Sequence, residues 1–173
     1  NMDVFVEQMV VKKKTGKDLA RTVACALGGA VALFLIVSFL GQYLGFLTFL
    51  IVAGVFYLLY QVVIGSNVEY EYSFTNGAMD VDKIIAASRR KRMTALNARE
   101  IEMMGTKRNA AFDGYIKNGE IKKVYACTSI DDNDVCFVLY TEGGVKKLLL
   151  FNPNEKIRDG FRRLNPQKVF LND

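Results

Sequence analysis

The dominant pattern in the chain is an interval without charge: from Thr22 to Val68 there is no Asp, Glu, Lys or Arg, and most positions are apolar. Core helices and buried strands of soluble proteins are shorter than this, whereas a helix crossing the hydrocarbon core of a bilayer needs about 20 apolar residues. Two such helices fit if the chain turns midway, and Gly41-Gln42-Tyr43-Leu44-Gly45 supplies the turn. The pattern therefore predicts a transmembrane helical hairpin over 22–65, with one helix at about 22–40, a second at about 43–64, and Gly65-Ser66-Asn67 as its end. A secretory signal is the alternative for the first segment. It is disfavoured because the apolar run starts some way into the chain and a second span follows directly.

On the N-terminal side, Phe5, Val6, Met9 and Val10 fall on one face at helical spacing, and Lys12-Lys13-Lys14 follow. Residues 1–21 read as an amphipathic basic segment, a helix lying flat in the headgroup region or packed on the polar domain. Asn1 precedes Met2, and the natural start is expected at Met2.

Beyond the apolar interval the period changes to two. Val68, Tyr70, Tyr72 and Phe74 alternate with Glu69, Glu71, Ser73 and Thr75, the signature of a half-buried strand. Asn76-Gly77 closes a two-residue hairpin with Met79 to Ile85. That register sets Glu71 opposite Asp82 and Ser73 opposite Asp80, so one face of the hairpin is acidic. Alternate members of the next strand, which begins Arg89-Arg90-Lys91-Arg92, are placed to pair with those carboxylates. A phosphate or lipid-headgroup patch is the functional alternative for the same run.

A short strand is expected near Glu100 to Met104, then loop from Gly105 to Gly119. Ile121 to Ser129, Val135 to Thr141 and Val145 to Phe151 read as a three-stranded meander. Asn152 as cap, Pro153 at the first helical position and Glu155 in the first turn predict a helix over about 153–164, with Ile157, Phe161 and Leu164 on its apolar face. The expected fold class is an α+β membrane protein: an N-terminal two-helix hairpin, then a small, strongly bent antiparallel sheet or barrel over 68–173 with a C-terminal helix plugging it. In element order that domain resembles a pleckstrin-homology-like domain.

Charge adds orientation. Lys12, Lys13, Lys14, Lys17 and Arg21 precede the first helix, Arg89, Arg90, Lys91 and Arg92 follow the second, and the connecting turn has no basic residue. Both termini are therefore expected on the cytoplasmic face of the cell membrane. The net charge of +5 on 173 residues is shared between the N-terminal segment and the C-terminal domain. No interleaving of basic and aromatic residues suggests nucleic acid, so none is expected as a partner.

Catalytic chemistry finds little support. The chain has no histidine, which removes the usual general base and the commonest metal ligand. Cys25 lies in the first apolar segment, while Cys127 and Cys136, expected on neighbouring strands, lack zinc-ligand spacing and read as packing residues in a reducing compartment. Asp131-Asp132-Asn133-Asp134 lacks the central glycine and distal glutamate of a calcium loop. Gly143-Gly144 with Lys146 and Lys147 is too short to cradle phosphates. No catalytic residue, metal ligand or cofactor is expected, and no ionisable residue in the spans suggests ion coupling. Ala24, Gly28 and Ala32 at four-residue spacing suit close helix contact, within the hairpin or between copies.

The wording of the chain carries a second resemblance. MDVFVEQMVVKKKTGKD, VEYEYSFTNGAMDVDKII, RRKRM and LLLFNPNEKIRDGFRRLNPQKVF together resemble a family of small bacterial two-span membrane proteins known as a domain of unknown function. The resemblance covers nearly the whole chain and implies architecture and location, with no activity or site. Pleckstrin-homology-like domains often take phosphoinositides at the loop joining their first two strands. Here that loop is the short, uncharged Asn76-Gly77, which argues against such a pocket. The function expected is a non-enzymatic, membrane-anchored interaction module whose domain binds a protein partner or a second copy. The alternative is sensing of anionic headgroups by a basic surface. Lys12, Lys13, Lys14, Lys17, Arg89, Arg90, Lys91 and Arg92 are the candidate lipid or partner contacts.

Overall fold

In the computed structural model, residues 5–171 are described; Asn1 and Met2, and with them the expected natural start, lie outside them. The chain forms two compact units, residues 14–67 and, joined across that interval, the N-terminal residues with 68–171.

The first unit is a helical hairpin. Helix α1 runs Gly16–Leu44 and α2 runs Phe46–Gly65, both long and apolar enough to cross a membrane. Thr15 N donates to Asp18 Oδ2 at 3.2 Å, one half of a capping box, so α1 begins before the charge-free interval. Its end is also later than the pattern suggested: a π-helical stretch over Ile36–Leu40 carries the helix on to Leu44. The turn is then made at Gly45 alone, whose φ of 51° and ψ of −121° suit a residue without Cβ. Inside the hairpin the small-residue contact falls on Gly29, where a Cβ would lie 2.9 Å from Leu59 Cδ1, and not on Gly28, which has nothing within 4 Å. Ala24 is exposed too, and of the Ala24, Gly28, Ala32 stripe only Ala32 is half-buried.

The second unit holds two sheets. The first has the order β1-β2-β3-β4, all antiparallel: β1 Phe5–Val11, β2 Val68–Thr75, β3 Ala78–Ile85, β4 Arg89–Asn97. The Asn76-Gly77 turn, with φ of 50° and 101°, fixes the expected register, Glu71 against Asp82 and Ser73 against Asp80. The N-terminal segment departs from expectation. It is a strand and not a helix: Phe5 pairs with Thr75 and Val11 with Glu69, across the whole hairpin. The apolar positions that satisfied a helical period also satisfy alternation, and the open edge of β2 decides between them. Val10 is buried and Val6 packs against the core, while Phe5, Met9 and Val11 face out.

The second sheet, order β6-β8-β7-β5-β9, contains β5 Met103–Thr106, β6 Lys122–Ala126, β7 Cys136–Glu142, β8 Val145–Phe151 and β9 Val169–Phe170. The expected meander is wrong in one step. β7 and β8 form an antiparallel hairpin, but β6 lies parallel to β8 and does not touch β7, so Cys127 and Cys136 are not on neighbouring strands. Within the expected loop lies a helix, α3 Ala111–Lys117, whose Phe112 sits 5.7 Å from the ring of Phe137 and covers the outer face of this sheet.

Helix α4, Glu155–Leu164, lies against the core between the sheets. Its cap is Asn154, whose side chain accepts from Ile157 N at 3.0 Å; Asn152 instead accepts from Thr128 N at 2.9 Å. Phe161 meets Phe74 at 5.3 Å, and a Cβ on Gly160 would come within 2.5 Å of Phe74, which brings the helix backbone close to β2. Gln8 ties β1 to this corner, donating to Asn152 O and accepting from Asn154 N, each at 2.8 Å.

Candidate functional site

The run Arg89 to Arg92 begins β4, so its side chains alternate between the two faces of the first sheet. Arg90 and Arg92 take the outer face, where the acidic rows of β2 and β3 lie. Arg90 pairs with Glu71 and reaches Asp82 at 3.7 Å, and Arg92 pairs with Asp80. Glu71 is only 5% exposed, so its carboxylate depends on Arg90 for charge balance. These two arginines are held by neighbouring carboxylates.

Arg89 and Lys91 take the opposite face, the one that carries Val68 and Tyr70 of β2. There Lys91 stands directly across from Lys83 on β3, Lys83 across from Tyr70 on β2, and Arg89 across from Ile85. Among the described residues no carboxylate pairs with Lys83, Arg89 or Lys91. Like charges directly opposite on adjacent strands repel, so this corner is a standing electrostatic cost within the fold. Lys83 is not among the residues the sequence pattern singles out, because the acidic row dominates the hairpin, although the same register puts Lys83 on its other face.

This corner is also the end of the sheet where the chain departs for the helices and returns. Val68 pairs with Ile85, Ile85 with Arg89, and Lys12 N donates to Val68 O at 2.9 Å. Helix α4 packs toward the other end, at Phe74 and at Gly77, which faces Leu164. Of the N-terminal candidates, Lys13 is tied down: its N donates to Thr128 O at 2.8 Å and its Nζ to Asp132 at 2.6 Å, and the Asp132 carboxyl is held below the usual range by the bonds it accepts from Lys13 Nζ and Thr128 Oγ1. Lys14 and Lys17 are exposed in the helical unit.

A second surface is the edge of the first sheet. Strand β1 has β2 on one side only, and its outward residues Phe5, Met9 and Val11 are each more than half exposed, with Glu7 as the single charge among them. Edge strands are usually blunted by charge or proline, and here Glu7 is the one such residue within β1.

The polar groups inside the domain are structural. Tyr72 O–H donates to Ala126 O and accepts from Asn152 N at 3.2 Å, linking the two sheets. Burial pushes the Cys136 thiol up to about 11 and raises that of Cys127, which suits packing and not reactivity. An open groove beside β1, about 510 Å³, is lined by Gln8, Lys13, Thr128, Asp132, Asn152 and Arg158 among others, groups already engaged in hydrogen bonds.

The family described as Bacterial PH-like domain (DUF6106) matches residues 2–171, and the chain belongs to it. No curated protein and no solved structure matches the chain.

Proposed function

We propose that this member of the bacterial PH-like family is a non-enzymatic interaction module, anchored in the cell membrane by α1 and α2 with both termini in the cytoplasm, whose edge strand β1 receives a protein partner or a second copy of the chain. PH-like domains are generally non-catalytic, in keeping with this reading. The observation that carries it is the edge of the first sheet, where β1 has a neighbouring strand on one side only and Phe5, Met9 and Val11 are exposed, the arrangement to which a further strand adds.

Topology has an independent support. β1 precedes the helical hairpin and β2 follows it, yet the two form one ladder from Phe5–Thr75 to Val11–Glu69. A chain that enters the bilayer between them can make that ladder only if it crosses an even number of times. The excess of basic residues on both flanks, with none at the turn, then favours the cytoplasm for the domain.

The test is native mass spectrometry of the full-length protein released from its own membranes, with Met9→Lys alongside. A stoichiometric foreign subunit or a homo-oligomer, lost in Met9→Lys while the domain stays folded, is the result expected. A monomer in both would overturn the reading.

A further inference from the structure

We propose that β1 pairs antiparallel with β1 of a second copy of this chain, in the register that sets Phe5 opposite Val11 and Glu7 opposite Met9, so that the two first sheets join into one. The inference rests on the edge reading of the proposed function and names the occupant of that edge.

Along a strand, main-chain N–H and C=O groups point alternately to the neighbour on one side and on the other. One step beyond the Val11–Glu69 pair, Lys12 donates its N–H to Val68 O at 2.9 Å, so the even-numbered residues of this segment turn their main chain toward β2. Lys13 turns the other way and donates to Thr128 O at 2.8 Å. By the same alternation Phe5, Glu7, Met9 and Val11 direct their main-chain groups to the side where the sheet has no further strand. The bond from Lys13 to Thr128 bounds that opening at its end nearest Val11.

A second β1 closes hydrogen bonds here only where outward residue meets outward residue, since such a pair exchanges both N–H···O bonds. With Phe5 opposite Val11 and Glu7 opposite Met9, every outward residue of both copies is paired, and the two-fold axis passes between the two Gln8 residues. Shifted one way, the strands set Glu7 directly against Glu7, a repulsive pair. Shifted the other way, they set Phe5 against Lys13, whose N–H is already taken by Thr128. The favoured register brings exposed Phe5 beside exposed Val11 on one face and Val6 beside Val10 on the other. Glu7, the one charge in β1, then has no acid directly opposite it. Met9→Lys would lose apolar contact with its diagonal neighbours, Phe5 and Met9 of the second copy, and gain only an exposed ion pair with Glu7, so it weakens this pairing.

The pairing is isologous and closes on itself, using up both β1 edges. The opposite edge of the sheet is β4, whose Arg89, Arg90, Lys91 and Arg92 blunt it against further addition, so the assembly stops at two copies.

The experiment is oxidative cross-linking of the full-length protein in its own membranes. Glu7→Cys and Met9→Cys are made in a Cys25→Ser background, the other two cysteines, Cys127 and Cys136, being buried. Both new positions are exposed, so the fold is kept, and an unfolding midpoint matching wild type checks it. Opposite Cα atoms in such a pair lie about 5.5 Å apart, within disulfide reach, whereas the diagonal Glu7–Glu7 and Met9–Met9 approaches are longer. A disulfide-linked dimer should therefore form when the two variants are co-expressed and be lost when either is expressed alone. Linking in one variant alone, or equally in all three samples, would overturn the register. No link in any sample, with a stoichiometric foreign subunit in native mass spectra that Met9→Lys removes, would overturn self-pairing and leave the edge reading standing. No link and a monomer throughout would overturn both.

Discussion

Arg90 on β4 reaches over β3 to the carboxylate of Glu71 on β2, joining strands that do not touch. Arg90 itself is 58% exposed while the Glu71 side chain is 6% exposed, so the charge that depends on the pair is the acid. Removing the arginine leaves a buried carboxylate unpaired, at a cost of about 1–3 kcal/mol. Arg90→Ala should lower the unfolding midpoint clearly, and Glu71→Gln/Arg90→Ala should lower it less than the sum of the single changes. Arg92→Ala, whose pair with Asp80 is exposed on both sides, should change stability by under about 1 kcal/mol. Thermal unfolding of the full-length variants in detergent measures all three.

Gly160 makes an opposite case, where adding atoms does the damage. In mid-helix, glycine is worse than alanine by about 1 kcal/mol, so a change to alanine ordinarily stabilises. Here the new Cβ would sit 2.5 Å from Phe74 Cε1, inside the contact that seats α4 on β2. Gly160→Ala should therefore destabilise by about 1–3 kcal/mol, with Gly114→Ala, where nothing lies within 4 Å, as the comparison that does not. Equal midpoints for the two variants would contradict the close packing.

The β3–β4 turn carries strain of another kind. Ala86 and Ala87 both have φ of 54°, a left-handed conformation that costs a residue with Cβ about 1–2 kcal/mol. Glycine at the second position relieves that cost and loses part of it again to unfolded-chain entropy. Ala87→Gly should raise stability by about 0.5 kcal/mol, and Ala87→Pro should lower it, read by the same unfolding assay.

Much of this was legible in the residues, and the failures share a cause. The Asn76-Gly77 hairpin needed only local information, and its register placed Glu71, Asp80 and Asp82 as found. The split of Arg89 to Arg92 between faces follows from strand alternation, and charge pairing was the expected outcome for alternate members. By contrast the residues of β1, FVEQMVV, fit the helical period as well as alternation, and the strand that decides between the two lies beyond two helices in the sequence. The parallel step from β6 to β8 was missed for a related reason: β7 lies between them in sequence, and nothing within β6 says which strand it will meet. Helix α3 hid behind Asn109 and Gly114, which read as loop residues. Lys83 was visible throughout, but a positive residue draws attention only once its neighbours are known to lack acids.

Glu142 supplies the closing prediction, since it fastens β7 to β4 where the two sheets meet. Its carboxylate accepts from Thr94 Oγ1 at 2.9 Å, from Ala95 N at 3.2 Å and from Lys147, and Thr94 is in turn hydrogen-bonded to Tyr140. Burial acts to raise its pKa, but the hydrogen bonds from Lys147, Thr94 and Ala95 outweigh it and hold the carboxyl below the usual glutamate value. A carboxyl depressed in the folded state contributes stability that is fully present above its unfolded value and lost as pH falls through its folded one. The unfolding midpoint should therefore be level near neutral pH and fall on acidification below the ordinary carboxylate range. Glu142→Gln should lower the midpoint at pH 7 and make the acid limb shallower. Glu102, held low chiefly by its hydrogen bond from Lys146, and Asp132 retain the remainder of that limb in the variant. Parallel acid limbs in wild type and Glu142→Gln would show that the junction of β4 and β7 does not depend on this charge.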